Sequence, residues 1–117
     1  MSLQDLHHDM SLSSGEMLEY LVKYINQSVY ASGNHAWPMV IDSGQLQETI
    51  RHLLWHFVGV AGGYQPGAFT THLIDAISVA DRANTAKLIM VYPAHVILFN
   101  HVQKYGAWIL QRAVGEV

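Results

Sequence analysis

The chain has 117 residues, of which 50% are hydrophobic and 13% are charged, and its formal net charge is −3 at pH 7. This length fits one domain, which buries about two-thirds of the surface that its unfolded chain exposes. Cysteine is absent and the six Lys and Arg residues are dispersed, so the composition excludes disulfides and Cys-ligated zinc and argues against duplex nucleic acid as a partner.

The first helix is predicted from Ser14 to about Tyr30, after a loose N-terminal arm over residues 1–13. Ser13 or Ser14 is the expected N-cap, and Glu16 lies in the first turn, where the helix dipole favours an acid. Residues 14–117 are predicted to form a single helical domain. A Trp37-Pro38 step then interrupts the helical pattern, because a residue before proline is pushed out of the α conformation.

The second helix is predicted to open at Ser43 and to stop at Gly62-Gly63, with Val58 among its inward-facing residues. The third is predicted to start at Pro66 and to end near Ala80, since proline presets a helical φ in a first turn. Apolar residues at helical spacing give it a buried stripe of Phe69, Leu73, Ile77 and Ala80.

Two readings exist for the next segment. Asp81 either caps a fourth helix, or the residues before and after it form one longer helix. Pro93 ends or kinks this run, and a last helical region is expected from Ala94 to about Val114, with Gly106 as its weak point. The sequence therefore predicts an all-α fold, a compact bundle of four to six helices joined by short loops.

The chain lacks an apolar run of about 18 residues, and its N-terminus is polar and acidic, so we expect a cytoplasmic protein without a membrane partner. The high apolar content predicts that part of the surface faces another subunit. Trp37, Trp55 and Trp108 are the aromatic residues expected to lie exposed on such a surface.

The first candidate site is metal-binding. Glu48, His52 and His56 follow at i, i+4 and i+8 and share one helix face, and two imidazoles one turn apart can hold Zn²⁺ or Ni²⁺. The glutamate that activates water in metalloproteases would follow the first histidine, where this chain has Leu53. The alternative is a plain polar or interfacial stripe.

The second candidate is the glycine turn, which we define as residues 62–71. A helix start there would present unpaired N–H groups to a phosphate or carboxylate, with Tyr64 covering it as a lid. The sequence matches neither a Walker A nor a dinucleotide motif. The alternative is a tight turn whose glycines allow close packing. The proposed ligand-binding residues of this turn are Tyr64, Gly67, Ala68, Phe69 and Thr70.

Two further clusters are polar. Asp81 and Asn84 are candidate ligand-binding residues, although caps and surface ion pairs are the commoner use of such groups. His72, His95 and His101 lie in a stretch that also holds Tyr92 and Tyr105. We expect each of these histidines to be buried and neutral, with a hydrogen bond to its ring. Ser78 and Thr85 have no evident base, so no catalytic residue is assigned.

The glycine turn and the segment after it resemble small bacteriophage and prophage proteins of uncharacterised function. Those proteins have a G-Y-x-P-G-x-F turn followed by an A-D-x-x-N-x-x-K/R helix start. The matching positions are Gly63, Tyr64, Pro66, Gly67, Phe69, Ala80, Asp81, Asn84 and Lys87. The resemblance spans roughly 30 residues and implies a small, non-catalytic helical protein of a virus or mobile element. It implies no substrate.

Three hypotheses follow from the sequence. The first is a non-enzymatic accessory or interaction protein that acts as a homo-oligomer, with no cofactor and a possible protein partner. The second is a small-ligand protein that binds a nucleotide or other anion at the glycine turn. The third is a metal-binding protein that uses Glu48, His52 and His56.

Overall fold

A computed structural model of the chain describes residues 12–31, 41–59 and 62–115. In these ranges the backbone forms six helices and no strand, which confirms the all-α prediction. The predicted arm up to residue 11 and Trp37 lie outside the described residues. The helices are α1 (Ser14–Ala31), α2 (Ser43–Val58), α3 (Ala68–Val79), α4 (Arg82–Val91), α5 (Pro93–Tyr105) and α6 (Trp108–Ala113).

Side-chain caps fix where three of the helices begin. Ser13 and Glu16 exchange hydrogen bonds at the start of α1, each 3.2 Å long. Asp42 and Gln45 form the same reciprocal pair at α2. Such pairs satisfy backbone N–H groups that have no partner inside the helix. Local sequence therefore determines these boundaries, and Ser13 is the N-cap of α1.

The core is built mainly from α1, α2, α5 and α6. Its largest fully buried side chains come from these four helices and from Ile74 of α3: Met17, Leu21, Ile25, Leu46, Ile50, Leu53, Leu54, Ile74, Leu98, Phe99 and Ile109. The radius of gyration is 13.5 Å, close to the roughly 13 Å expected for a folded chain of about this length. By contrast, α4 contributes no buried residue, and its closest packing partner is α5.

Asp81 resolves the two readings of the central segment. Its carboxylate accepts a hydrogen bond of 2.8 Å from the backbone N–H of Asn84, so it is the N-cap of α4. The chain therefore breaks at Ala80-Asp81 into α3 and α4. The rings of Phe69 and Tyr92 lie 6.1 Å apart and bring the start of α3 to the end of α4. The chain therefore folds back between the two helices, and we call this pair the α3–α4 hairpin, although α4 packs mainly against α5.

Several expectations were wrong in detail. The third helix begins at Ala68 rather than Pro66, with Gly67 as its N-cap. Phe69 is 66% exposed instead of buried, and Val58 at the end of α2 is 38% exposed. The last helical region starts at Pro93 rather than Ala94. It divides at Gly106, the predicted weak point, whose φ is +89°. A positive φ cannot continue a helix, and glycine adopts it without strain.

Candidate functional site

The glycine turn is fastened to α2 through Arg51. The Arg51 guanidinium donates to the carbonyl of Gly62 over 2.9 Å and to that of Val114 over 3.3 Å. The Tyr64 N–H donates to the Arg51 carbonyl over 3.1 Å. Arg51 also lies over the Tyr64 ring, 5.0 Å from its centroid, so Tyr64 packs against α2, although 61% of its surface is exposed.

Gly63 is required by close packing. A Cβ added there would lie 2.4 Å from the backbone nitrogen of Trp55 and 2.6 Å from the carbonyl oxygen of Gly59. Backbone atoms cannot yield as the end of a flexible side chain can, so a side chain at this position would push the turn away from α2. The geometry at Gly63 therefore favours the packing interpretation of the turn.

The start of α3 has fewer groups that could bind an anion than the sequence predicts. Ala68 and Phe69 are exposed and Thr70 is half-buried, and Gly67 provides no side-chain cap. The nearby Thr71 hydroxyl is directed to the Pro66 carbonyl over 3.4 Å. Arg51, the cation that holds the turn, is engaged by backbone carbonyls. Anion binding at the glycine turn stays a prediction.

The two histidines among the candidate metal ligands have different neighbours. The His56 ring packs on Phe57 and Phe99, with centroid distances of 5.0 and 5.6 Å. His52 is instead close enough to His95 to influence its pKa. Among the residues that the structure describes, no group of three or more His, Cys, Asp or Glu is placed to hold a metal ion. Glu48, His52 and His56 are therefore not brought together as a ligand set.

Most of the remaining polar candidates have a structural role, either in a hydrogen bond to the backbone or in a contact between two rings. Asp81 and Asn84 are exposed and are used as the cap of α4, and the Ser78 hydroxyl donates to the Asp75 carbonyl over 2.6 Å. His101 is buried, with its ring 5.0 Å from that of Tyr105. His72 lies exposed on α3.

One concave feature of the described residues borders His95. It is a cavity of about 180 Å³ between α1, α2 and the junction where α4 passes into α5. Its walls are largely apolar and include Ile25, Ile41, Val91 and Ala94. The sequence had singled out Tyr92 and His95, which both line the cavity. It had not pointed to Asn26, Gln45 or Thr49, because lone polar residues on helices carry no diagnostic spacing.

His95 is held neutral at this site. Burial lowers its pKa from 6.5 to about 4, and repulsion from His52 adds to the effect. His95 is the third residue of α5, where the positive end of the helix dipole also disfavours an imidazolium. The Tyr92 ring meets the His95 ring edge-on, with centroids 6.0 Å apart. The expected neutral histidine is present, but no hydrogen bond within the described residues occupies its ring nitrogens.

A second unusual feature is the apolar surface of the α3–α4 hairpin. Five large apolar side chains are exposed there, and we call them the hairpin surface: Phe69, Val79, Ile89, Met90 and Val91. Val79 is the most open of them, at 84%. Trp55 and Trp108, which were expected to be exposed, are instead half-buried, and Trp108 packs against the core. Among the described residues, five of the seven exposed large apolar side chains therefore belong to the hairpin surface, and the other two are Val58 and Tyr64.

No protein-family model, no curated protein and no solved structure matches the chain. The resemblance to bacteriophage proteins therefore stays a prediction. In the described ranges, no helix combines the length with the apolar composition that a bilayer crossing requires.

Proposed function

We propose that this protein is a non-enzymatic interaction protein that self-associates through the hairpin surface. The observation that carries the proposal is α4, a helix of ten residues that buries no side chain and ends in the exposed residues Ile89, Met90 and Val91. Fully burying a side chain such as Val or Phe stabilises an assembly by about 1.5–3 kcal/mol. A partner that covers these side chains gains that free energy.

The charges around the hairpin surface favour a second copy of the chain as this partner. Asp75 and Asp81 carry negative charge, Arg82 and Lys87 carry positive charge, and all four are exposed. No ion pair within the described residues uses Arg82 or Lys87. In a two-fold dimer the same patch faces itself, so a patch that carries both signs can pair acid with base across the axis.

The groups that a catalytic interpretation would need have structural tasks, which supports the non-enzymatic part of the proposal. Asp81 caps α4, and the Ser78 hydroxyl is bonded to the backbone of its own helix. Arg51 joins the glycine turn to the end of α6 through the carbonyls of Gly62 and Val114.

Sedimentation equilibrium from about 1 to 200 µM tests the proposal, because a dissociation constant of about 1 µM corresponds to −8.2 kcal/mol. We expect a reversible oligomer for the natural chain and a monomer for Val79→Glu, whose new charge would be buried at the interface. Gln103→Glu is the matched control, since it adds the same charge at an exposed position of α5. We expect this control to associate like the natural chain.

Lys87→Glu tests the choice of partner. In a self-complementary interface this substitution leaves acids facing acids, so we expect weaker association that improves as salt screens the repulsion. A natural chain that stays monomeric up to 200 µM would refute self-association. Equal association of Val79→Glu and Gln103→Glu would refute the hairpin surface as its location.

A further inference from the structure

The cavity beside His95 is a second candidate binding site, and it shares Met90 and Val91 with the hairpin surface. Its volume of about 180 Å³ slightly exceeds the roughly 150 Å³ of an engineered apolar cavity that stays dry and binds benzene. The space is therefore sufficient for one aromatic ring with a small substituent. A nucleotide, which consists of a base, a sugar and at least one phosphate, is too large for it.

The lining determines what charge an occupant can have. Among the described residues that line the cavity, none is Asp, Glu, Lys or Arg. A charged ligand would lose its hydration there without meeting a countercharge, which is strongly unfavourable. The apolar side chains of Ile25, Ile41 and Ala94 instead favour a neutral, mostly apolar molecule.

Most polar groups of the lining already have partners. The Asn26 side chain donates to the Ile41 carbonyl over 3.2 Å and accepts from its N–H over 3.1 Å. The Thr49 hydroxyl donates to the Gln45 carbonyl, and the Gln45 side chain accepts from the N–H of Asp42. The His95 ring differs, since no hydrogen bond within the described residues engages it. A neutral imidazole has one acceptor nitrogen and one N–H donor.

We propose that this cavity binds a small neutral aromatic alcohol of phenol size, with its ring against Ile25 and Ile41 and its hydroxyl donating to the His95 imidazole. Because His95 is neutral at pH 7, it keeps the lone pair that such a bond requires. The hydrogen bond orients the ligand, and the apolar walls supply most of the affinity.

Titration with phenol and toluene, followed on the labelled Ile methyl groups, tests the site. The two probes have nearly the same shape, and phenol replaces a methyl group by a hydroxyl. We expect both to shift the methyl resonances of Ile25 and Ile41. In His95→Phe the affinity ratio of phenol to toluene should fall by about tenfold, which is the loss of one hydrogen bond of about 1.4 kcal/mol.

Two further variants make the result decisive. His72→Phe makes the same chemical change at an exposed position of α3 and should leave the affinity ratio unchanged. Ala94→Leu places three additional carbons in the cavity and should weaken both probes; its amide spectrum shows whether the fold is retained. Absence of Ile25 and Ile41 shifts at millimolar phenol would overturn the site. An affinity ratio that is the same in His95→Phe and the natural chain would overturn the assignment of the hydroxyl to His95.

Discussion

Lowering the pH is expected to destabilise the protein through His95. Its pKa is about 4 in the folded chain, against 6.5 for an unperturbed histidine. Between these two values the unfolded state binds a proton that the folded state does not. Unfolding is therefore favoured as the pH falls. The contribution of a neutral His95 is complete above about pH 6.5 and is lost progressively down to about pH 4, below which the loss is constant.

The size of the effect follows from the shift. Each pKa unit corresponds to about 1.36 kcal/mol. The fall from 6.5 to about 4 thus gives a maximum loss of about 3 kcal/mol. About 2 kcal/mol of this is lost by pH 5, because pH 5 lies about 1.5 units below the pKa of His95 in the unfolded chain. Since domains are typically stable by about 5–15 kcal/mol, this is a large fraction of the total.

Urea unfolding of the natural chain and of His95→Phe, at several values between pH 7.5 and pH 4, measures this loss. The two proteins differ only at position 95, so the difference between the two curves isolates His95. We expect the natural chain to lose about 2 kcal/mol more than the variant between pH 7 and pH 5. Parallel curves would mean that His95 has the same pKa in both states, which would refute the argument from its burial.

Two stability predictions concern the connections of α3. Gly63→Ala should cost about 3 kcal/mol or more in chemical unfolding, because the added Cβ meets the backbone of Trp55 and Gly59. Gly67→Ala is the control, because a Cβ added at Gly67 meets no other atom and its φ of −68° suits alanine. We expect this variant to lose at most about 1 kcal/mol of unfolding free energy. Equal losses in the two variants would contradict the packing interpretation of the turn. Asp81→Ala should cost about 1 kcal/mol through the lost cap, with Asp81→Asn much milder. A neutral Asp81→Ala would show that α4 does not depend on its cap.

Sequence reasoning succeeded where the determining contacts are local. The capping groups Ser13 and Asp81 are bonded to backbone only three residues away, so the signal and its structural effect lie within one window of sequence. Apolar spacing similarly predicted that Leu73 and Ile77 of α3 are buried. It could not predict the cavity, because Asn26, Thr49 and His95 come from three helices, and only their packing brings these residues together.

Phe69 shows why spacing alone misplaced one side chain of α3. Successive residues turn by about 100° around a helix. Leu73, Ile74 and Ile77 are the buried residues of α3, and Phe69 points about 90° from the centre of the stripe they define. Treating Phe69, Leu73 and Ile77 as one row omitted Ile74, which shifts the true centre away from Phe69. Val79 lies nearly opposite that centre, which accounts for its exposure.

The composition of α4 explains why both proposals involve the same helix. Its apolar residues Leu88, Ile89, Met90 and Val91 are consecutive, so their side chains point about 100° apart around the helix axis. No single orientation can direct all four into one core. Leu88 packs against the core, Met90 and Val91 border the cavity, and Ile89, Met90 and Val91 remain exposed. A helix with this pattern needs contacts on more than one side to cover its apolar residues, and a single copy of the chain supplies close packing mainly from α5.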